Sequence, residues 1–219
     1  MSHILVATGL KREAAALRHY GLVVVPGGGN PVGLRAELER TAGRARGVVS
    51  FGMAGALADG LAIGDWVVGE RVCGAVDRLC DPVWAAALAT CLPGARIGAV
   101  YADGRMIDTV AEKLALGQRH GALAVDMESQ VVAAVAAEHS LPFAIVRCIS
   151  DGARHVMPPA ITVAMRPDGG VDALAMLRSL VTQPRQLPDI ARTSIDFTKA
   201  IRALKRGALS AGPGMASEP

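Results

Sequence analysis

The chain has 219 residues, 51% hydrophobic but only 3% aromatic, with a formal net charge of +3. Its arginines are scattered and not interleaved with aromatics, which speaks against nucleic acid as a partner, and no apolar run approaches the roughly 20 residues needed to span a bilayer. Four cysteines without CxxC spacing argue against a secreted disulfide scaffold and fit a reducing cytoplasm.

Short β-branched runs alternate with longer Ala- and Leu-rich runs at helical spacing, the pattern of an α/β domain with an inner sheet. Residues 4–7 read as the first strand, opening the chain where a signal peptide would need a basic region and a long apolar segment. A helix over 12–19 and a strand over 22–25 follow, stopped by Pro26-Gly27-Gly28-Gly29-Asn30-Pro31. A helix over 34–41 leads to a strand at 47–51, and Gly52-Met53-Ala54-Gly55-Ala56 reads as a loop. Strands are expected at 65–72, 96–101, 122–125 and 143–149, with helices at 83–90, 109–119 and 130–139. Prolines 158, 159 and 167 bracket an irregular or strand-like piece, and helices follow at 171–182 and 188–205. Residues 1–206 form a single domain in this reading; the Gly/Ser/Pro-rich tail, 207–219, is expected to be disordered.

Asp151 follows a strand that is apolar except at Arg147, and ligands of open α/β sheets collect beyond the carboxyl ends of strands. A partly desolvated carboxyl there suits a general acid, although position alone favours a turn cap before Gly152. Glu128, two residues after Asp126, stands where a strand gives way to a helix. A carboxylate there can accept from both hydroxyls of a ribose diol and stabilise a cationic sugar, or simply complement the helix dipole. Glu13 lies in a first helical turn after Thr8-Gly9-Leu10, a place where glutamates are commonly solvated. The Met53-Ala54-Gly55 backbone would admit a close ligand. The five histidines show no metal-ligand spacing, and there is no Gly-x-Ser-x-Gly elbow.

Together these segments resemble the purine nucleoside phosphorylase and methylthioadenosine/adenosylhomocysteine nucleosidase superfamily. The resemblance lies in Gly9 through Glu13, Ser50-Phe51-Gly52-Met53-Ala54-Gly55-Ala56-Leu57, Ile63-Gly64-Asp65-Trp66-Val67-Val68, Val125-Asp126-Met127-Glu128-Ser129 and Arg147-Cys148-Ile149-Ser150-Asp151. It implies a single three-layer αβα domain with a central mixed sheet flanked by helices. Within that group the Asp-Met-Glu-Ser form, Met157-Pro158-Pro159 and Arg166-Pro167-Asp168-Gly169 look like the hopanoid-associated phosphorylase branch, whose substrate is adenosylhopane. The resemblance makes Asp151 the acid that protonates the leaving purine, and Glu13 the residue that activates water. Glu128, with Asp126 close by, would hold the ribose, Met127 would pack beneath it, and Met53, Ala54 and Gly55 would line the site.

Met53 departs from the serine of many relatives, and no stacking aromatic stands near Met106. Phosphate and water therefore both stay open as nucleophile: Lys11 and Arg12 would suit phosphate, Glu13 water. No cofactor is implied, beyond inorganic phosphate as a candidate co-substrate. The implied ligand is a small purine nucleoside, lipid-tailed in the hopanoid branch, with Ile161, Val163 and Met165 as candidate walls for the tail. The implied assembly is a homodimer or larger homo-oligomer, and peripheral membrane contact stays open. A methylthioadenosine/adenosylhomocysteine nucleosidase is the alternative enzyme, and a catalytically dead nucleoside-binding protein the non-enzyme one.

Overall fold

The computed structural model describes residues 3–17, 21–164 and 172–216. Among the described residues eight strands are β1 (His3–Thr8), β2 (Val23–Pro26), β3 (Ala45–Ala56), β4 (Trp66–Gly74), β5 (Arg78–Leu79), β6 (Arg96–Ala102), β7 (Ala122–Asp126) and β8 (Phe143–Asp151). The helices are α1 (Lys11–Ala16), α2 (Pro31–Ala42), α3 (Pro82–Thr90), α4 (Val110–His120), α5 (Ser129–Glu138), α6 (Pro159–Ala164), α7 (Ala173–Thr182) and α8 (Leu187–Ala216).

All eight strands belong to one mixed sheet. β1 runs parallel to β2 and β3, β8 runs parallel to β3 and antiparallel to β4, and β7 runs parallel to β6 and antiparallel to β3. With the parallel pairing of β4 and β6, the strands β3, β8, β4, β6 and β7 close into a ring. Period-two alternation then sorts their side chains to opposite faces. Ile4, Val6, Val49, Phe51, Val146 and Cys148 pack under α3 and α8 against Trp84, Leu88 and Leu204. Leu5, Ala7, Val48, Phe143 and Ile145 face the other way, onto Leu34 and Leu38 of α2 and Val132 and Val135 of α5. The mixed sheet between two helical layers is the expected fold class, and each such buried aliphatic side chain adds roughly 1.5–3 kcal/mol of transfer free energy.

Helix starts follow from capping side chains. Asn30 accepts from Gly33 N at 2.9 Å and Asp81 from Trp84 N at 2.8 Å, each followed by a proline at the first helical position. Gly121, at φ 62°, ends α4 in the left-handed conformation that glycine adopts without penalty.

Three expectations change. Residues 52–56 are not a loop but the last five residues of β3, which stays paired with β8 from Val48↔Phe143 to Gly55↔Asp151. The glycines read as loop punctuation serve a packing purpose described below. Residues 159–164 form a helical turn rather than an irregular or strand-like piece, with Ala160 N donating to Gln186 Oε1 at 2.9 Å. Met165 and the segment with Arg166-Pro167-Asp168-Gly169 lie outside the described residues, as does the end of the helix expected over 12–19.

The tail is the third change: α8 continues through Ala216. Its small residues permit close packing instead of disorder. Ala208, Ala211 and Met215 are fully buried in the cluster that holds Trp66 and Trp84. A β-carbon on Gly207 would run into the Trp66 ring, and Trp84 Nε1 donates to the Gly214 carbonyl at 3.2 Å. Among the described residues no helix is long and apolar enough to cross a membrane.

Candidate active site

Four strands end at one rim of the sheet, and each delivers one part of the site. β1 leads through Gly9 into α1 and Glu13; β3 ends in Met53-Ala54-Gly55-Ala56; β7 ends at Asp126 and β8 at Asp151. Ligands of α/β sheets gather at such carboxyl ends.

Glu13 is not a solvated first-turn residue, being only 2% exposed. Its Oε2 accepts from Leu10 N at 2.7 Å and its Oε1 from Met53 N at 2.8 Å, tying α1 to β3. Burial raises its pKa above the usual glutamate value, while the two backbone N–H groups and Arg147 pull it back. Each carboxylate oxygen has a second lone pair, so Glu13 keeps acceptor capacity for a water.

Asp126 and Glu128 divide two jobs that the sequence left merged. Asp126 Oδ1 accepts from Glu128 N at 2.9 Å and Ser129 N at 2.7 Å, capping the start of α5. Its Oδ2 accepts from Ser129 Oγ at 2.6 Å and Arg147 Nε at 2.8 Å. With both oxygens committed and the residue buried, Asp126 stands behind the site and not in it, contrary to its expected place among sugar-binding residues. Glu128, freed from capping, turns toward Gly9 and borders a cleft with Met127, Gly27, Gly29, Asn30 and Leu34. Burial, against the opposing pull of Arg147 and with the Asp126 and Glu13 charges adding to it, pushes the Glu128 carboxyl up to about 7.

Arg147, fully buried on β8, is the centre that sequence reasoning passed over. Its Nη2 donates to Ser50 Oγ and, at 3.1 Å, to Ser129 Oγ. Its Nη1 is buried and meets no hydrogen-bond acceptor among the described residues. A β-carbon on Gly52 would lie 2.7 Å from Nη1 and 2.9 Å from both Glu13 oxygens, which places that free donor beside the Glu13 carboxylate. The available signal was a lone charge inside an otherwise apolar central strand.

Asp151 is held by side chains and is not a turn cap. Oδ2 accepts from Lys113 Nζ, and Oδ1 lies 2.9 Å from Ser150 Oγ, which also lies 3.2 Å from the Ala54 carbonyl. Lys113 was read only as part of a helix, where a lysine next to Glu112 in an amphipathic stretch gives no sign of burial.

The glycines explain why β3 continues where a loop was expected. A β-carbon on Gly9 would lie 2.8 Å from Glu128 Oε1, and one on Gly55 would lie 3.0 Å from Asp151 Oδ2. With Gly52, each vacant β-position is thus filled by one of the three carboxylates. The bare backbone at Gly55 makes room for Asp151. Met53 contributes its N–H to Glu13, and Ala54 its carbonyl near Ser150. Lys11 and Arg12, the candidate phosphate residues, are exposed on α1. Val163 projects into solvent and Ile161 is half-buried. Among the described residues no group of His, Cys, Asp and Glu is arranged to hold a metal ion.

Several solved structures share this fold. A 5′-methylthioadenosine/S-adenosylhomocysteine nucleosidase from S. pneumoniae, with a transition-state inhibitor, is 18% identical at a TM-score of 0.69, covering 98% of both chains. A Helicobacter pylori nucleosidase mutant with 5′-methylthioadenosine in its active site is 17% identical at 0.63, covering 92% of this chain and 98% of its own. A futalosine hydrolase mutant from Helicobacter pylori is 16% identical at 0.62, covering 69% and 89%. No curated protein sequence matches the chain. The family profile described as Phosphorylase superfamily matches residues 21–181, most of the chain. The chain therefore belongs to the phosphorylase superfamily.

Proposed function

We propose that this enzyme cleaves the N-ribosidic bond of an adenine nucleoside. The observation that carries the reading is the convergence of Glu13, Glu128 and Asp151 at one rim, each against its own glycine. Asp151 gives a proton to the departing base, so that the electron pair of the C–N bond leaves on a neutral purine. Glu128 accepts from the ribose hydroxyls, and its negative charge stabilises the cationic sugar as the bond stretches. General acid assistance of this kind contributes roughly 10² to 10⁴-fold.

Glu13 and the free Nη1 of Arg147 supply an acceptor and a donor side by side, which suits an attacking water. A phosphate dianion in the same place would meet the Glu13 charge, so hydrolysis is the favoured outcome. Met127 forms the apolar floor of the sugar side.

For the substrate, the resemblance of the central motif to the hopanoid-associated branch supports adenosylhopane, with adenine released during hopanoid side-chain formation. Methylthioadenosine or adenosylhomocysteine is the second reading, supported by the fold shared with nucleosidases of that name. A homodimer in the cytoplasm, using no cofactor, completes the proposal. The test is incubation with a triterpenoid-tailed adenine nucleoside and with methylthioadenosine, each with and without phosphate. Free adenine and free ribosyl product from the tailed substrate are expected, with no sugar 1-phosphate. Adenine from methylthioadenosine alone favours the second reading, and no adenine from either overturns both.

A further inference from the structure

We propose that Lys113 is a positioning residue that supplies Asp151 with the proton it hands to the departing base, an inference resting on the nucleoside-cleaving reading above. Lys113 projects from α4 toward the end of β8 and is 1% exposed, although lysines are almost never fully buried without a partner. Its ammonium meets three oxygens: Asp151 Oδ2, the Gly152 carbonyl at 3.3 Å and the His155 carbonyl at 3.2 Å. An ammonium has three N–H bonds and no acceptor, so the three oxygens match it one for one.

The same cage also fits the neutral amine. Once one proton has passed to Asp151, two N–H bonds remain for the Gly152 and His155 carbonyls. The new lone pair faces the carboxyl O–H. Neither state leaves a buried donor or acceptor unmatched, a fault that costs about 1–3 kcal/mol. The pair is also layered: the Lys113 side chain is 1% exposed and that of Asp151 13%, so the lysine stands sealed behind an acid with an open side.

The proton balance closes. The N–H bond of Lys113 directed at Oδ2 breaks as the carboxyl O–H forms. The O–H turns to the base and breaks as the base N–H forms, while the C–N electron pair goes to the base. After the base leaves, water at the open side of Asp151 returns one proton to Lys113 by the reverse route. The network of Arg147 has no such freedom, because a guanidinium does not give up its proton in a protein.

The test compares wild type with Lys113→Met and Lys113→Arg on two substrates: the adenine nucleoside cleaved by the wild type, and p-nitrophenyl riboside, whose leaving group departs without a proton. Circular dichroism and a thermal melt establish that each variant is folded. Lys113→Met is expected to lose about 100-fold or more in kcat on the nucleoside, with KM changed less than about threefold, and to lose less than about threefold on the nitrophenyl riboside. Lys113→Arg, which keeps the charge but not the transferable proton, is expected not to restore the nucleoside rate. Equal losses on both substrates, a loss confined to KM, an unchanged rate, or full rescue by arginine overturns the proposal. If wild type cleaves the nucleoside but not the nitrophenyl riboside, the kcat-against-KM split and the arginine variant decide. A folded wild type that cleaves neither overturns the nucleoside-cleaving reading itself, which is a distinct failure.

Discussion

Two buried ion pairs lie within the site's two halves, and they are built to opposite ends. Arg147 and Asp126 are shut away on both sides, with side-chain exposures of 0% and 1%, and the carboxylate accepts four hydrogen bonds from Arg147, Ser129 and the start of α5. Lys113 and Asp151 are sealed on one side only, and their cation is one that can lose its proton. The first pair is a frame that fixes where α5, β7 and β8 meet, and so where Glu128 points. In the proposed mechanism the second is a working part. A salt bridge in an active site is therefore not one kind of object: the identity of the cation and the open side of the acid tell the two apart.

The comparison breaks most directly at the frame. Arg147→Met leaves Asp126 buried without its cation, a loss of roughly 3–5 kcal/mol. Urea unfolding should show this as a lower midpoint, and an unchanged midpoint would remove the frame assignment. Asp151→Asn, on the working side, is expected to cost about 10² to 10⁴-fold in kcat while unfolding shifts little. Adenine release measured beside a thermal melt separates the two outcomes; near-normal turnover would sink the acid assignment. Between them stands Gly52→Ala, whose new β-carbon has to displace both Arg147 Nη1 and Glu13. It is expected to lower stability by about 1–3 kcal/mol and activity together, because it pushes on both halves at once.

The sequence singled out Glu13, Met127, Glu128 and Asp151, which the fold brings to one rim, because each follows a strand end within a recognisable run. It missed Arg147 and Lys113, the two cations that make those carboxylates different from one another. A lysine in an amphipathic helix looks solvated until tertiary packing buries it, and a lone arginine in an apolar strand shows that a partner exists but not which one. Asp126 was placed with the ligand because spacing does not say which of two nearby carboxylates caps the helix. The strand at 52–56 and the helix at 207–216 failed for a shared reason. Glycine was taken as a sign of turns and disorder, whereas here it admits a carboxylate or a tryptophan ring.

The smallest expected effect concerns pH. Because burial pushes the Glu128 carboxyl up to about 7, it is mostly protonated in the free enzyme at slightly acid pH and mostly ionised above neutrality. Ribose hydroxyls donate better to the ionised form, so nucleoside binding is expected to tighten by up to about tenfold from about pH 6 to pH 8. Calorimetric titration would measure it, with Glu128→Gln flat across the range. The stability sign is opposite: the folded chain holds a proton that the unfolded chain has released above 4.5, so this group's contribution falls as pH rises from there through about 7. A Kd independent of pH would place the sugar elsewhere.

The ring formed by β3, β8, β4, β6 and β7 has a mechanical consequence. An open sheet accommodates strain by letting an edge strand slip or peel, but a strand bonded on both sides within a closed circuit has no edge to release. Moving Asp151 relative to the Met53 anchor of Glu13 would require register to change around the whole circuit at once. The distance between Asp151 and the Glu13 carboxylate is thus set like a gauge block, and whatever opens to admit a ligand has to be the helices and turns above the rim.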